Sequence, residues 1–465
     1  MDETETAAER RRSQATEIIT SGRIWSAVWY LAWPTAINTL IQTAYTLINR
    51  RFVGQLPDAT GPLAAIGIGG TVLMIQFGIL MALATGTSAL VSRFLGAGQH
   101  QDADEATGQA LVLSVIAGAL SGLPFIVFAE PVARLVGAEA GVARIAGDYT
   151  AIISWFSVPL FVYFVIVSVL RSAGDARSPL YVGAAVLVFN AIVDYLLIFG
   201  VGRIPAMGVH GAAIATGLSR VVGMLLACYF LRRSVLGGAF AHIRPHAGWF
   251  GRILNIGWPA AIQNFMWSTA VAGFIKVLGL LPPVQATAAQ AAYTVAVGLE
   301  GLAFMPGLAY SQAATPLVGQ NLGAGKPDRA AQSAWVAVGQ AVFIMTAVAV
   351  VFLLVPKQLA LMFTDEAAVV PLIVSYLMIN AVSEPFLAVA MVLRGALQGA
   401  GDTRTPMILT ITTLWVIRVP LTWLLAVRFG LGANGAWIAM SATTVLSGLL
   451  LAGWFKLGRW RDIRV

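Results

Sequence analysis

Twelve apolar runs, each long enough to cross a lipid bilayer, follow one another through this chain. Only short polar or Gly/Pro-rich connectors separate them. They cover residues 28–49, 63–92, 106–128, 146–170, 179–201, 207–231, 254–280, 286–316, 331–355, 368–393, 406–427 and 433–456. About 20 apolar residues in helical form reach across the hydrocarbon core. Inside lipid every backbone N–H and C=O needs a partner within the protein, so a lone spanning run is a helix. The pattern predicts an all-α integral membrane protein with transmembrane helices 1 to 12 in chain order. It leaves no room for a soluble domain. Charge agrees: 11% of the 465 residues are Asp, Glu, Lys or Arg, against about 25% in an average soluble protein. Mean hydropathy is +0.80.

The chain repeats itself. Trp33-Pro34 in "YLAWPTAINTL" returns as Trp258-Pro259 in "NIGWPAAIQNF", 225 residues later. Leu95 of "RFLGAGQHQDA" matches Leu322 of "QNLGAGKPDRA", and Asp175 of "SAGDARSP" matches Asp402 of "GAGDTRTP", both at an offset of 227. Gly211 of "GVHGAAIA" matches Gly435 of "GANGAWIA", at 224. Each half holds six helices, an even number, so both halves enter and leave on the same side. They are parallel repeats, related by an axis along the membrane normal. Such repeats suit a transporter with its substrate cavity between the halves near the midplane. The division expected is a cytosolic tail (1–24), an N-lobe (25–233), a cytoplasmic linker (234–253) and a C-lobe (254–465) around a central cavity.

Lys and Arg in the connectors set the orientation. Nineteen lie on one side, from Arg10, Arg11 and Arg12 near the start to Arg464 near the end, against eight on the other. That side is cytoplasmic and holds both termini. Arg50 and Arg51 fall on the outer side and read as a snorkelling anchor for helix 1. The formal charge of +8 is mostly this topological signal and does not suggest nucleic acid. Residues 1–23 show no apolar core of a secretory signal. The lone Cys228 excludes an intrachain disulfide. His100, His210, His242 and His246 sit in connectors without metal-site spacing. No Gly-x-x-x-x-Gly-Lys-Ser/Thr loop is present, so ATP is not the energy source.

Taken together, the two-half layout, "TPLVGQNLGAGKPDRA", "LRSAGDARSP", "LQGAGDTRTP", "FNAIVDYLLIFG" and "GVHGAAIAT" resemble the multidrug and toxic compound extrusion (MATE) transporters. The resemblance covers residues 25 to 458. It implies two six-helix lobes and export of amphiphilic, often cationic, compounds, driven by inward flow of H⁺ or Na⁺. The coupling ion is then the only small ion required, and no cofactor is expected.

Acids inside spans are functional candidates by default, and here they are Asp194, Glu300 and Glu384. Asp148, at the start of helix 4, reads as interfacial. Asn190 precedes Asp194 by one helical turn, so both share a face of helix 5. An amide oxygen and a carboxylate on one face can hold Na⁺ or a proton. The resemblance adds to this site a Thr on helix 6, carried over to Thr216, and an aromatic on helix 4, carried over to Tyr149. It also implies an acid on helix 1, where this chain has Asn49. An Asn can coordinate or hydrogen-bond but cannot titrate; the other reading of Asn49 is an interhelical hydrogen bond alone.

Glu384 stands just before Pro385, which frees a backbone carbonyl and kinks a helix. Glu300 precedes Pro306-Gly307, where a broken helix is expected. The helix 7 position where family members can carry an acid holds Trp267. Arg220 and Arg418, inside helices 6 and 11, read as structural partners of carbonyls or acids. Candidate cavity residues are Gln42, Tyr149, Phe265, Trp267, Met305 and Phe386; the bland alternative for the aromatics is packing or lipid contact. The function expected is a monomeric secondary antiporter of the plasma (inner) membrane that works by rocker-switch alternating access. Its rivals are a flippase or polysaccharide exporter of the same superfamily and, less in keeping with the residues, a polytopic membrane enzyme.

Overall fold

In a computed structural model the chain is a succession of long helices. Residues 16–56, 60–135 and 139–463 are described. Arg10, Arg11, Arg12, Arg464 and the side chain of Arg50, with most of the expected tail, lie outside the described residues. Among the described residues twelve long helices, straight or bent, follow in order: α1 (Ile24–Val53), α2 (Thr60–Gly96), α3 (His100–Val127), α4 in two arms (Ala140–Trp155 and Ser157–Ser172), α5 (Arg177–Phe199), α6 (Gly208–Arg232), α7 (Ala247–Leu278), α8 (Pro283–Gly323), α9 (Pro327–Leu354), α10 in two arms (Val370–Ala381 and Glu384–Ala400), α11 (Arg404–Arg428) and α12 (Gly432–Leu457). Eight are long and apolar enough on their own to cross a membrane, and the two bent helices make ten. The 30 residues of α1 and the 32 of α7 complete the set. Among the described residues there is no strand.

The arms of α4 meet at 54° and those of α10 at 59°. Proline explains both. Pro385 and Pro159 have no N–H for the carbonyl one turn earlier, and their rings crowd it. The break expected in helix 8 does not occur: α8 runs through Pro306 and Pro316 without interruption. Gly307 supplies the reason. A Cβ there would stand 2.7 Å from the sulfur of Met391 and 3.0 Å from that of Met345. Side chains of neighbouring helices therefore pack closely against the proline turn and hold it in line. In α11, the stretches Thr412–Arg418 and Leu424–Arg428 are π-helical and flank the turn holding Pro420.

The repeated connectors have a structural cause. Gly98 and its counterpart Gly325 have φ of +73° and +70°, and Gly174 and Gly401 have +84° and +88°. A helix that ends in the left-handed conformation favours glycine there. Asp175 then accepts the amide hydrogens of Arg177 and Ser178 (3.1 and 2.9 Å), and Asp402 that of Thr405 (3.1 Å). Each Gly-Asp pair thus stops one helix and caps the next.

The chain forms two compact units. One is built on Trp33–Ala261, the other on Gly22–Ala32 together with the chain from Ile262 on. In the first, the linker is pinned to α3: Gln109 donates to the carbonyls of His242 (2.8 Å) and Arg244 (2.6 Å), and its Oε1 accepts from His246 N–H (2.9 Å). In the second, α8 and α10 press together at small residues. Thr315 Oγ1 donates to the Gly395 carbonyl at 3.0 Å, and a Cβ on Gly395 or Gly399 would strike the backbone of Ser311 or Thr315. Small residues replace hydrophobic driving force as the means of helix association in lipid. α5 is inside-out, as a lipid-facing helix should be: Val188, Ile192 and Tyr195 are more than half exposed, while Asn190 and Asp194 are fully buried.

Candidate functional site

In the first unit, α5 carries Asn190 and Asp194 on successive turns of its buried face. Among the described residues, neither oxygen of Asp194 and neither the oxygen nor the nitrogen of Asn190 has a hydrogen-bond partner. An ionised carboxylate so placed is very costly unless a cation or proton sits on it. Close by, Asn49 Nδ2 donates to Thr216 Oγ1 at 3.2 Å, linking α1 to α6. Tyr45, one turn before Asn49, also hydrogen-bonds Thr216 and interacts electrostatically with Asp194 and Arg220. Tyr149 lies in the same electrostatic group. It is buried, packed with Val53, Ile153, Ile198 and Val209. Arg220 donates to the Ile153 carbonyl at 3.4 Å, and no ion pair joins it to Asp194 among the described residues.

Four expected residues of the first unit are therefore together: Asn49, Asn190, Asp194 and Thr216, with Tyr149 as a wall. Tyr45 was not expected. Its place one turn from Asn49 on the same helix face is the signal that could have found it. Gln42, further down α1, is exposed. Asp148 lies half exposed beside His210, 3.4 Å away, as an interfacial acid should.

The second unit holds a different cluster. Glu300 on α8 accepts the phenol hydrogen bond of Tyr376 on α10. Tyr376 belongs to an aromatic stack with Tyr293, Trp437 and Phe274, ring centroids 5.0–6.2 Å apart. Glu384 is buried at the start of the second arm of α10, and its Oε2 has no partner among the described residues. Asn380, four residues earlier, closes the first arm with its Oδ1 likewise unpartnered. Asn380 and Glu384 thus repeat the Asn-x-x-x-acid spacing of Asn190 and Asp194 on a helix that is not its counterpart in the duplication. The spacing is legible in "NAVSE", yet only the break makes the two side chains neighbours of an opening in the helix. Glu384 and Glu300 interact electrostatically, and so do Glu300 and Arg418. Phe265 and Trp267 are exposed (59% and 43%) on α7. Met305 and Phe386 are partly buried, and the backbone of Phe386 lies against Gly448 of α12.

Among the described residues no group of three or more His, Cys, Asp or Glu could hold a multivalent metal. Each unit instead offers one buried carboxylate with an amide one turn away, Asp194 with Asn190 and Glu384 with Asn380, a donor set suited to a proton or a monovalent cation.

Three comparisons with known proteins bear on these sites. The family model described as MatE matches residues 34–196 and 259–424. A multidrug resistance protein NorM of Burkholderia vietnamiensis is 30% identical over 92% of this chain and 92% of its own length. A probable multidrug resistance protein NorM of Thermotoga maritima is 27% identical with the same coverage. An FAD transporter of Shewanella oneidensis is 28% identical over 90% of this chain and 91% of its own. Among solved structures, an outward-facing multidrug resistance MATE transporter of the MOP superfamily superposes with a TM-score of 0.88 at 24% identity, covering 97% of this chain and 99% of that one. A MOP superfamily transporter from Pyrococcus furiosus, with a binding pocket described as of reverse polarity, does so with the same values.

Proposed function

Because the chain belongs to the MATE family of membrane transporters, we propose that it exports amphiphilic, cationic drugs or toxic compounds in exchange for H⁺ or Na⁺. It is a transporter and not an enzyme. The observation that carries the coupling is the pair Asn190 and Asp194: a buried carboxylate beside a buried amide, neither with a side-chain hydrogen-bond partner among the described residues. A proton or Na⁺ arriving from outside binds the carboxylate and favours one conformation; substrate favours the other, and alternating access follows from the difference. With Asn49 in place of an acid, Asp194 is the one carboxylate of this site among the described residues. Glu384 is the second coupling group, and Glu300 its neighbour.

The setting goes with this reading: the plasma (inner) membrane, both termini in the cytoplasm, a single chain as the working unit. The relatives named for multidrug resistance support the substrate class. The relative named an FAD transporter supports a second class, anionic dinucleotides, and makes FAD the control substrate. The test is efflux of ethidium, and in parallel of FAD, from proteoliposomes under an imposed pH gradient or an imposed Na⁺ gradient alone. The reading requires ethidium efflux that depends on one of the two gradients. Efflux equal with and without both gradients overturns it, and FAD efflux without ethidium efflux replaces the substrate class.

A further inference from the structure

Arg418 stands in the middle of α11, deep in a spanning helix, where a guanidinium is expensive and by default functional. It sits at the end of a π-helical stretch; such wider turns gather at functional sites. Its side chain is tethered to α12: Nε donates to Thr443 Oγ1 at 2.7 Å, and Nη2 to Thr444 Oγ1 at 2.8 Å and to the Met440 carbonyl at 3.4 Å. Both threonine hydroxyls spend their own hydrogens on helix carbonyls of Ala439 and Met440, at 2.7 and 2.9 Å. Their lone pairs are therefore fixed toward Arg418, since a hydroxyl has one hydrogen and two acceptor sites. The guanidinium makes no ion pair within 4.0 Å among the described residues, but it lies beside the Glu300 group: the Tyr376 hydroxyl that donates to Glu300 is 3.8 Å from the sulfur of Met440, whose carbonyl Arg418 binds, and the charge acts on Glu300, Tyr293 and Tyr376 through space. Glu300 in turn interacts with Glu384.

The charged groups of this cluster are thus two carboxylates, Glu300 on α8 and Glu384 on α10, and one guanidinium, Arg418 on α11. The tyrosines on α8 and α10 and the threonines on α12 are neutral. An arginine keeps its charge in proteins. With both acids ionised the cluster carries one excess negative charge, and one bound cation makes it neutral.

We propose that Arg418 is the resident counter-charge of the Glu300–Glu384 pair, a positioning residue that limits this second-unit cluster to the exchange of a single proton or monovalent cation. The inference rests on the reading of the chain as a cation-driven exporter. It makes a charge-counting prediction that a purely structural arginine would not. Glu300→Gln leaves one acid against one guanidinium, so the cluster has nothing left to exchange. Arg418→Gln leaves two uncompensated acids and a demand for two cations. Arg418→Gln combined with Glu300→Gln returns the cluster to one exchangeable charge on Glu384.

The experiment is gradient-driven ethidium efflux from proteoliposomes holding the wild type, each single variant and the double variant, with gel filtration to check folding. Each single variant should lose about tenfold or more in rate, and the double variant should recover to within about threefold of wild type, the behaviour of directly coupled residues. A double variant no faster than Arg418→Gln overturns the proposal, as does Glu300→Gln at the wild-type rate. If Arg418→Gln fails to fold while the double variant folds and transports, charge compensation is supported. If both fail to fold, Arg418 is a structural residue and the proposal falls. Wild-type protein without gradient-driven efflux defeats the exporter reading itself, a result distinct from all of these.

Discussion

Replacing Asp194 by Asn separates a functional carboxylate from a structural one. The side chain is fully buried and neither oxygen has a hydrogen-bond partner among the described residues. A structural carboxylate would have donors to lose; this one has none, so exchanging an oxygen for an NH₂ breaks no bond. It also removes the demand of a buried charge. The melting temperature of the variant in detergent should match or exceed that of wild type. Cation binding goes the other way. A monovalent cation about 4 Å from a carboxylate gains about 4 kcal/mol at an effective dielectric of about 20, worth about a thousandfold in affinity. A neutral amide recovers little of that. The assay pairs a thermal melt with gradient-driven ethidium efflux on the same preparation. Efflux should be abolished while the fold stays at least as stable. Wild-type efflux, or a variant that melts well below wild type, would refute the reasoning and make Asp194 a packing residue.

Three further outcomes are expected. Asn49→Asp adds a second carboxylate to the first-unit site and removes the amide donor that now reaches Thr216 at 3.2 Å; Na⁺ affinity or the steepness of efflux against the gradient should rise, and no change in either would leave Asn49 as an interhelical hydrogen-bonding residue. Glu384→Gln removes a buried acid with an unpartnered oxygen and should slow efflux and flatten its pH dependence, whereas an unchanged pH profile would assign coupling to the first unit alone. Gly395→Leu sets a Cβ 2.7 Å from the Ser311 carbonyl carbon, an overpacking that costs about 1–3 kcal/mol or more; a melting temperature equal to wild type would mean that α8 and α10 do not pack as described.

Much of the fold was legible because lipid imposes it. Twelve apolar runs became twelve helices, and the Gly-Asp connectors that reveal the duplication proved to be paired helix stops and caps at Gly174-Asp175 and Gly401-Asp402. Proline was read with mixed success. Pro385 breaks α10, Pro159 breaks α4 unannounced, and Pro306 breaks nothing, because whether neighbours close over a proline turn depends on side chains remote in sequence. The site was legible wherever its parts share a helix, as Asn190 and Asp194 do. It was not legible where partners come from far along the chain: Tyr376 meets Glu300 from 76 residues away, and Arg418 meets Thr443 from 25. Spacing along one helix announces a shared face, but no spacing announces a contact between helices.

The central claim is that substrate and a coupling cation displace one another through the buried carboxylates. It is tested most directly on purified protein in weakly buffered detergent solution, by adding ethidium and measuring the H⁺ or Na⁺ set free for each ethidium bound. Linkage makes this reciprocal: a cation that weakens substrate binding is itself weakened by substrate. Wild type should release H⁺ or Na⁺ as ethidium binds, and Asp194→Asn should release less for each ethidium bound. Ethidium binding to wild type without release of either ion, or equal release from the variant, would contradict the account.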